Sequence, residues 1–174
     1  VVSIYGTYLA SPVAPLSNAT KKPEGMGDVE FQTRYWQNFE WLNGSPLVEQ
    51  CIHIVDKVAW TMNDEAPIAA IANGGRAHRE DQSNIYDHYD VTYEYAGGVY
   101  AHVKQRQMMN THGENIHRVI CENGTAVGPW NVFTLDKEGK KNWRFRKEKG
   151  KENNMYQVCH NEFFAALRAG KIVN

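Results

Sequence analysis

Apolar side chains recur at three- and four-residue steps over residues 46–62: Val48, Cys51, Ile52, Val55, Val58, Ala59 and Met62. That period predicts one amphipathic helix. Asn43-Gly44-Ser45-Pro46 marks its start, with Ser45 as N-cap and Pro46 at the first helical position, and it ends near Asn63, ahead of Pro67. Other stretches alternate instead. Over residues 85–96, Tyr89, Val91, Tyr93 and Tyr95 fall on one side and His88, Asp90, Thr92 and Glu94 on the other, which predicts a strand. Gly97-Gly98 is a hairpin signal, and residues 99–108 return as the partner. Further strands are predicted at residues 1–5, 68–72, 116–121, 130–135 and 142–147, the last two flanking Asp136-Lys137-Glu138-Gly139. A second amphipathic helix is expected over residues 154–169, stopped by Gly170. Residues 10–28 contain Pro12, Pro15, Pro23, Gly25 and Gly27 and read as a long loop, while residues 30–41 are dense in aromatics.

One helix, a run of antiparallel strands and a closing helix make an α+β pattern, with a large, mostly antiparallel open sheet and its helices on one face. The alternating aromatic strands make the uncovered face a candidate interface. A length of 174 residues suits a single domain. A formal charge of −1 gives no reason to expect nucleic acid or an anionic membrane as partner. Basic residues cluster over 137–151, but Asp136, Glu138, Glu148 and Glu152 are interspersed, so the run reads as a solvated hairpin. Cys51, Cys121 and Cys159 show neither a disulfide framework nor zinc spacing and read as small buried hydrophobes. The chain opens directly into a strand at Val1 without Met, which leads to the expectation of a fragment.

Glu49, His53 and Asp56 lie four and three residues apart, within a stripe of about 60° on a regular helix, and Trp60 joins them. An imidazole with a carboxylate one turn away suits general-base chemistry; the same pair also occurs as a plain surface contact, and a zinc site would need more ligands. Tyr86, Asp87 and His88 form a second polar cluster that suits either a sugar or a hydrogen-bonded strand end. Arg76 and Arg79 are anion or hydroxyl donors or solvated loop residues; His78, His102, His112 and His117 show no mutual spacing and read as structural or surface residues. No GxGxxG follows a strand, so dinucleotide binding in the Rossmann manner is not encoded here. No nucleophile elbow or P-loop is present.

Val48-Glu49-Gln50-Cys51-Ile52-His53-Ile54-Val55-Asp56, followed by Trp60, resembles the helix bearing the catalytic histidine in the Gfo/Idh/MocA oxidoreductases. Gly74-Gly75-Arg76, Asn84-Ile85-Tyr86-Asp87-His88, Tyr93-Glu94-Tyr95 and Arg168-Ala169-Gly170-Lys171 with Asn174 resemble further segments of that family, in the expected order. The resemblance implies the C-terminal, dihydrodipicolinate-reductase-like domain, with residues 1–174 as a single substrate and oligomerisation domain and the Rossmann domain outside this chain. It implies NAD or NADP in the full-length protein, none bound by this domain alone, and a sugar, sugar derivative or cyclitol as substrate. By resemblance His53 is the catalytic histidine and Glu49, at a position often aspartate in the family, the second catalytic residue, which orients it; Arg34, Trp36, Trp41, Tyr86, Asp87 and His88 are candidate sugar contacts. A homo-oligomer through the open sheet is also implied. The family's Glu-Lys-Pro lysine belongs to the other domain, and Lys22-Pro23, which follows Lys21, is not that motif. Two alternatives stay open: a non-catalytic sugar-binding or dimerising module, and a glycosidase of the same family that uses NAD.

Overall fold

The computed structural model describes residues 1–14, 16, 21–77, 81–151 and 154–172. Pro15, His78, Arg79 and Asn174 lie outside the described residues. The chain divides into two units, Val1–Trp143 and Arg144–Asn174.

The first unit is built on an open sheet of eight strands: β1 (Ser3–Ala10), β2 (Ala69–Gly75), β3 (His88–Tyr95), β4 (Val99–Gln107), β5 (Glu114–Cys121), β6 (Gly124–Gly128), β7 (Phe133–Asp136) and β8 (Lys141–Arg144). Their order is β2-β3-β4-β1-β5-β6-β7-β8, and the last strand ends at the division between the units. Strand β1 is central, parallel to β4 and antiparallel to β5; the pairs β2–β3, β3–β4, β5–β6 and β6–β7 are antiparallel. The α+β class and the mostly antiparallel open sheet are therefore as the sequence predicts. Strand β6 is an addition. Its Gly-Thr-Ala-Val-Gly sequence has little strand propensity of its own, and its pairing with β5 and β7 supplies what composition does not.

The helix expected over residues 46–62 forms as two pieces, α3 (Pro46–Glu49) and α4 (Ile52–Thr61). Ser45 caps the first, its hydroxyl accepting from the Val48 amide at 3.2 Å. At the junction the Cys51 amide donates to the Pro46 carbonyl, five residues back, at 3.0 Å, which widens one turn. The wider turn shifts the phase of everything before it. Val48 and Ile52, expected on the apolar face, are exposed, and Leu47 packs against the core instead. Asn63 and Asp64 then take left-handed backbone angles, φ 56° and 60°, and end the element where predicted.

Helix α4 lies across β1, β4 and β5. Ile4, Cys51, Ile54, Val58, Tyr95, Ala101 and Val103 form the main core there, with Tyr8, Tyr93 and Val99 at its margin. Cys51 is buried as expected, whereas Cys121, at the end of β5, and Cys159 are exposed, contrary to the expectation from their residue type. Gly6 makes the close approach possible, because a Cβ at that position would stand 2.2 Å from Ile54 Cγ2. A smaller cluster of Leu16, Phe31 and Phe39 is held by α1 (Asp28–Arg34) and α2 (Glu40–Asn43), two short helices in the aromatic-rich stretch.

The aromatic side of β3 is the covered one. Tyr95 is buried and Tyr93 packs against the α4 core, so these tyrosines do not form the uncovered face. That face carries His88, Asp90, Thr92 and Glu94 opposite Arg106, Lys104, His102 and Tyr100 of β4. Asp90 pairs with Lys104, and Thr92 Oγ1 lies 3.1 Å from His102 Nδ1. Helix burial outweighs strand exposure for the larger apolar rings, which leaves the polar phase outside.

The second unit contains α5 (Met155–Arg168), whose N-terminus is capped by Asn154 Oδ1, accepting from the Tyr156 amide at 3.0 Å. Gly170, at φ 64°, follows its end. Among the described residues no helix is long and apolar enough to cross a membrane.

Truncation of Ile54 to Ala is expected to lower stability by about 2–5 kcal/mol, because a fully buried side chain leaves its seat against Gly6. Urea denaturation measures it, with Ile71→Ala on the exposed β2 edge as the control, expected within about 0.5 kcal/mol of the parent.

Candidate functional site

His53 and Glu49 flank the α3–α4 junction. His53 opens α4 with an exposed ring, and Glu49 ends α3, partly buried. No hydrogen bond joins the two side chains among the described residues, yet they feel each other's charge. Burial pushes the Glu49 carboxyl up, and the neighbouring His53 pulls it back down. Asp56 and Trp60 follow on the exposed side of α4, away from the core. Lys57 turns toward β5 and donates to the His53 carbonyl at 2.7 Å.

A third side chain, which the sequence did not single out, completes the grouping. The Tyr8 ring of β1 stacks beside that of His53, with centroids 6.4 Å apart and planes at 28°. Burial, then the nearby Glu49 and Cys51, push its phenol up. Tyr8 follows Gly6 by two residues, so the helix that seats Ile54 on Gly6 also carries His53 to Tyr8. A signal was present: Tyr8 shares the strand phase of Ile4 and Gly6 but is polar.

Strand β4 repeats that signal. Ala101, Val103, Gln105 and Gln107 share the covered phase, apolar at first and then amide-bearing. Gln107 Nε2 donates to Gln50 Oε1 at 2.9 Å, tying the helix junction to β4. Gln105 is 2% exposed, and neither polar atom of its amide has a hydrogen-bond partner among the described residues.

The second predicted cluster reaches the same strand end. Asp87 is fully buried; its carboxylate accepts from the Ala77 amide at 2.9 Å and lies 2.8 Å from His88 Nδ1. Its carbonyl accepts from the Gln107 amide at 2.8 Å. Tyr86, partly exposed, stacks on Tyr89 at 5.7 Å. Arg76 donates to the Ser83 carbonyl, the Ser83 hydroxyl and the Ile85 carbonyl, bracing this loop. Arg34 pairs with Glu30 on α1, Trp41 Nε1 donates to Gln32, and Trp36 is exposed. Among the described residues no hydrogen bond, ion pair or ring contact connects Arg34, Trp36 or Trp41 with His53 or Glu49.

Gly25-Met26-Gly27 precedes α1 but follows no strand directly among the described residues, and the first turn of that helix carries Asp28 and Glu30. Two carboxylates at the N-terminus repel a pyrophosphate, so these residues do not fit a dinucleotide.

The sheet and its covering helices define an α+β domain that carries a histidine–carboxylate pair at one sheet end. Residues 21–127 match the GFO/IDH/MocA C-terminal domain, and the chain belongs to that family. Among solved structures it resembles a levoglucosan dehydrogenase in complex with NADH, at TM-score 0.70 and 14% identity, covering 99% of this chain and 50% of that one. It also resembles the UDP-N-acetylglucosamine 3-dehydrogenase of Acidithiobacillus ferrooxidans, at TM-score 0.66 and 11% identity, with 98% and 46% covered. The aldose-aldose oxidoreductase of Caulobacter crescentus, complexed with glycerol, gives TM-score 0.65 and 12% identity, again with 98% and 46% covered. At such identities the likeness is one of fold, and the chain spans about half the length of these structures. No curated protein sequence matches.

Beneath α4, His117 of β5 lies 3.3 Å from Thr61 Oγ1 and is nearly enclosed. Burial, assisted by the Lys57 charge, lowers its pKa to about 4. The folded state therefore binds this proton less readily than the unfolded chain. Stability falls as pH drops from about 6.5 toward 4, by roughly 3 kcal/mol if this group acts alone. Denaturation midpoints across that range test it: His117→Gln should flatten this part of the profile, and an unaltered profile would show that other groups cause it.

Proposed function

We propose that this chain is the substrate-side domain of an NAD(P)-dependent oxidoreductase acting on a sugar, sugar derivative or cyclitol, with His53 as its acid–base residue. The grouping of Glu49 and His53 at the strand ends, in a member of this family, is the observation that supports the reading most. A nucleotide-binding domain would hold the dinucleotide, which supplies the hydride acceptor. His53 has an exposed ring whose nitrogens are unbonded among the described residues, so one is free to take the hydroxyl proton as the carbonyl forms. Glu49, whose carboxyl burial pushes up and His53 pulls back down, is the proposed partner that orients this ring. Tyr86, Asp87, His88, Arg34, Trp36 and Trp41 are the proposed outer contacts, where rings cover apolar sugar faces and polar groups hold hydroxyls. Of these, Asp87 acts from within the fold through His88 and the Ala77 amide.

The full-length protein, screened by nicotinamide absorbance against D-glucose, D-xylose and myo-inositol with NAD and NADP, should turn over at least one of them. His53→Ala should then lower kcat by about 10²- to 10⁴-fold. Undiminished turnover in that variant would remove His53 from the mechanism; binding without turnover in the parent would favour the non-catalytic module.

We propose also that the uncovered face of the sheet makes the contact between copies of the protein. Ile116, Ile120, Val127, Trp130, Phe133 and Leu135 line a groove of about 560 Å³ on and beside β5 to β7. Apolar lining of that extent suits a self-contact. Sedimentation of the full-length protein should show an oligomer that Ile120→Glu shifts toward monomer, and an unshifted distribution would rule this face out.

A further inference from the structure

The covered face of the sheet changes character at one row. Across the central strands, in register, Ala101, Ile4 and Val119 form one level, and Val103, Gly6 and His117 the next. The level after that is Gln105, Tyr8 and Asn115. His117 aside, polarity thus begins where α4 starts, beneath His53.

This polar row has little use within the fold. Gln105 Nε2 and Oε1 and Asn115 Oδ1 are buried without a hydrogen-bond partner among the described residues. Leaving buried amide groups unmade costs stability, so a row chosen for packing alone would be apolar at these positions. By contrast, Gln107, one step further along β4, is satisfied by Gln50. Tyr8 stands between the two unsatisfied amides. Its hydroxyl bonds to nothing among the described residues, and its ring lies nearly parallel to the exposed ring of His53, with Glu49 close by.

We infer that Tyr8 is a substrate-contacting residue of this site, its phenol donating a hydrogen bond to an oxygen adjacent to the one whose proton His53 exchanges. The inference rests on the proposed function and assigns Tyr8 to a second substrate oxygen, neighbouring the reacting one as in a vicinal diol. The stacking of the two rings, with centroids 6.4 Å apart, is the geometric basis for giving them neighbouring oxygens. Burial and the nearby Glu49 push the phenol up, so it keeps its proton and serves as a hydrogen-bond donor. Gln105 and Asn115 support this role by giving the phenol a polar bed in place of apolar walls.

The test uses Tyr8→Phe in the full-length protein, because Phe keeps the ring and the stack and removes only the hydroxyl. With whichever of D-glucose, D-xylose or myo-inositol the parent enzyme oxidises, kcat/KM should fall about 10- to 100-fold at unchanged Tm. The monodeoxy analogues of that substrate add a readout that a merely structural role would not move. One analogue should be discriminated against by the parent and accepted by Tyr8→Phe as well as the complete substrate is. A variant with kcat/KM within about twofold of the parent, or one that loses equally on every analogue, overturns the inference while leaving the proposed function intact. No turnover of any of the three by the unsubstituted enzyme overturns the proposed function, and this inference with it.

Discussion

The seating of Ile54 on Gly6 is the contact on which the rest of this domain depends. A side chain at position 6 would meet Ile54 Cγ2 at 2.2 Å, so only glycine lets α4 lie this close to the central strand. Close packing of a β-branched residue against backbone leaves little freedom to slide or rotate. The neighbours of this contact therefore inherit fixed places. His53 precedes Ile54 by one residue and Tyr8 follows Gly6 by two, and the two rings stack. One packing constraint thus sets both the core and the relation between helix and strand at the candidate site.

The same constraint divides the two faces of the sheet. With α4 spanning β1, β4 and β5, the large apolar and aromatic side chains of β3 are drawn inward, and charged pairs such as Asp90–Lys104 take the other side. Toward β5, β6 and β7 the uncovered side becomes apolar again, around Ile120 and Phe133. Among the described residues, α3 and α4 lie over the central strands β1, β4 and β5.

Polar groups under α4 mark where structure and chemistry pull in different directions. His117 is held neutral by burial, and Gln105 keeps an amide without partners in a place where a hydrocarbon would pack well. Both lie on strands flanking β1, in the two rows beyond Ile4. Costs of this kind gather near functional sites, where local rules give way to binding.

Much of this was legible from the chain alone. The Ser45 cap, the Pro46 start, the period over Cys51, Val55 and Val58, the alternation from Tyr89 to Tyr95 and the Gly97-Gly98 turn are local signals, each set by backbone chemistry within a few residues. They gave the α+β class, while the family came from the resemblance of several strings, that around Glu49 and His53 among them, to segments of known members. Other features depended on contacts distant in sequence. The widened turn at Cys51 moved Val48 outward because α3 and α4 each had to meet the sheet. The aromatic side of β3 faced inward, and β6 formed from a weak strand sequence, because pairing and burial outweigh intrinsic preference. Tyr8 joined His53 only through the parallel placement of β1 beside β4, more than 40 residues removed from the helix that crosses it. Periodicity tells which side of an element is buried; which residues of two elements meet is decided by the packing of one against the other.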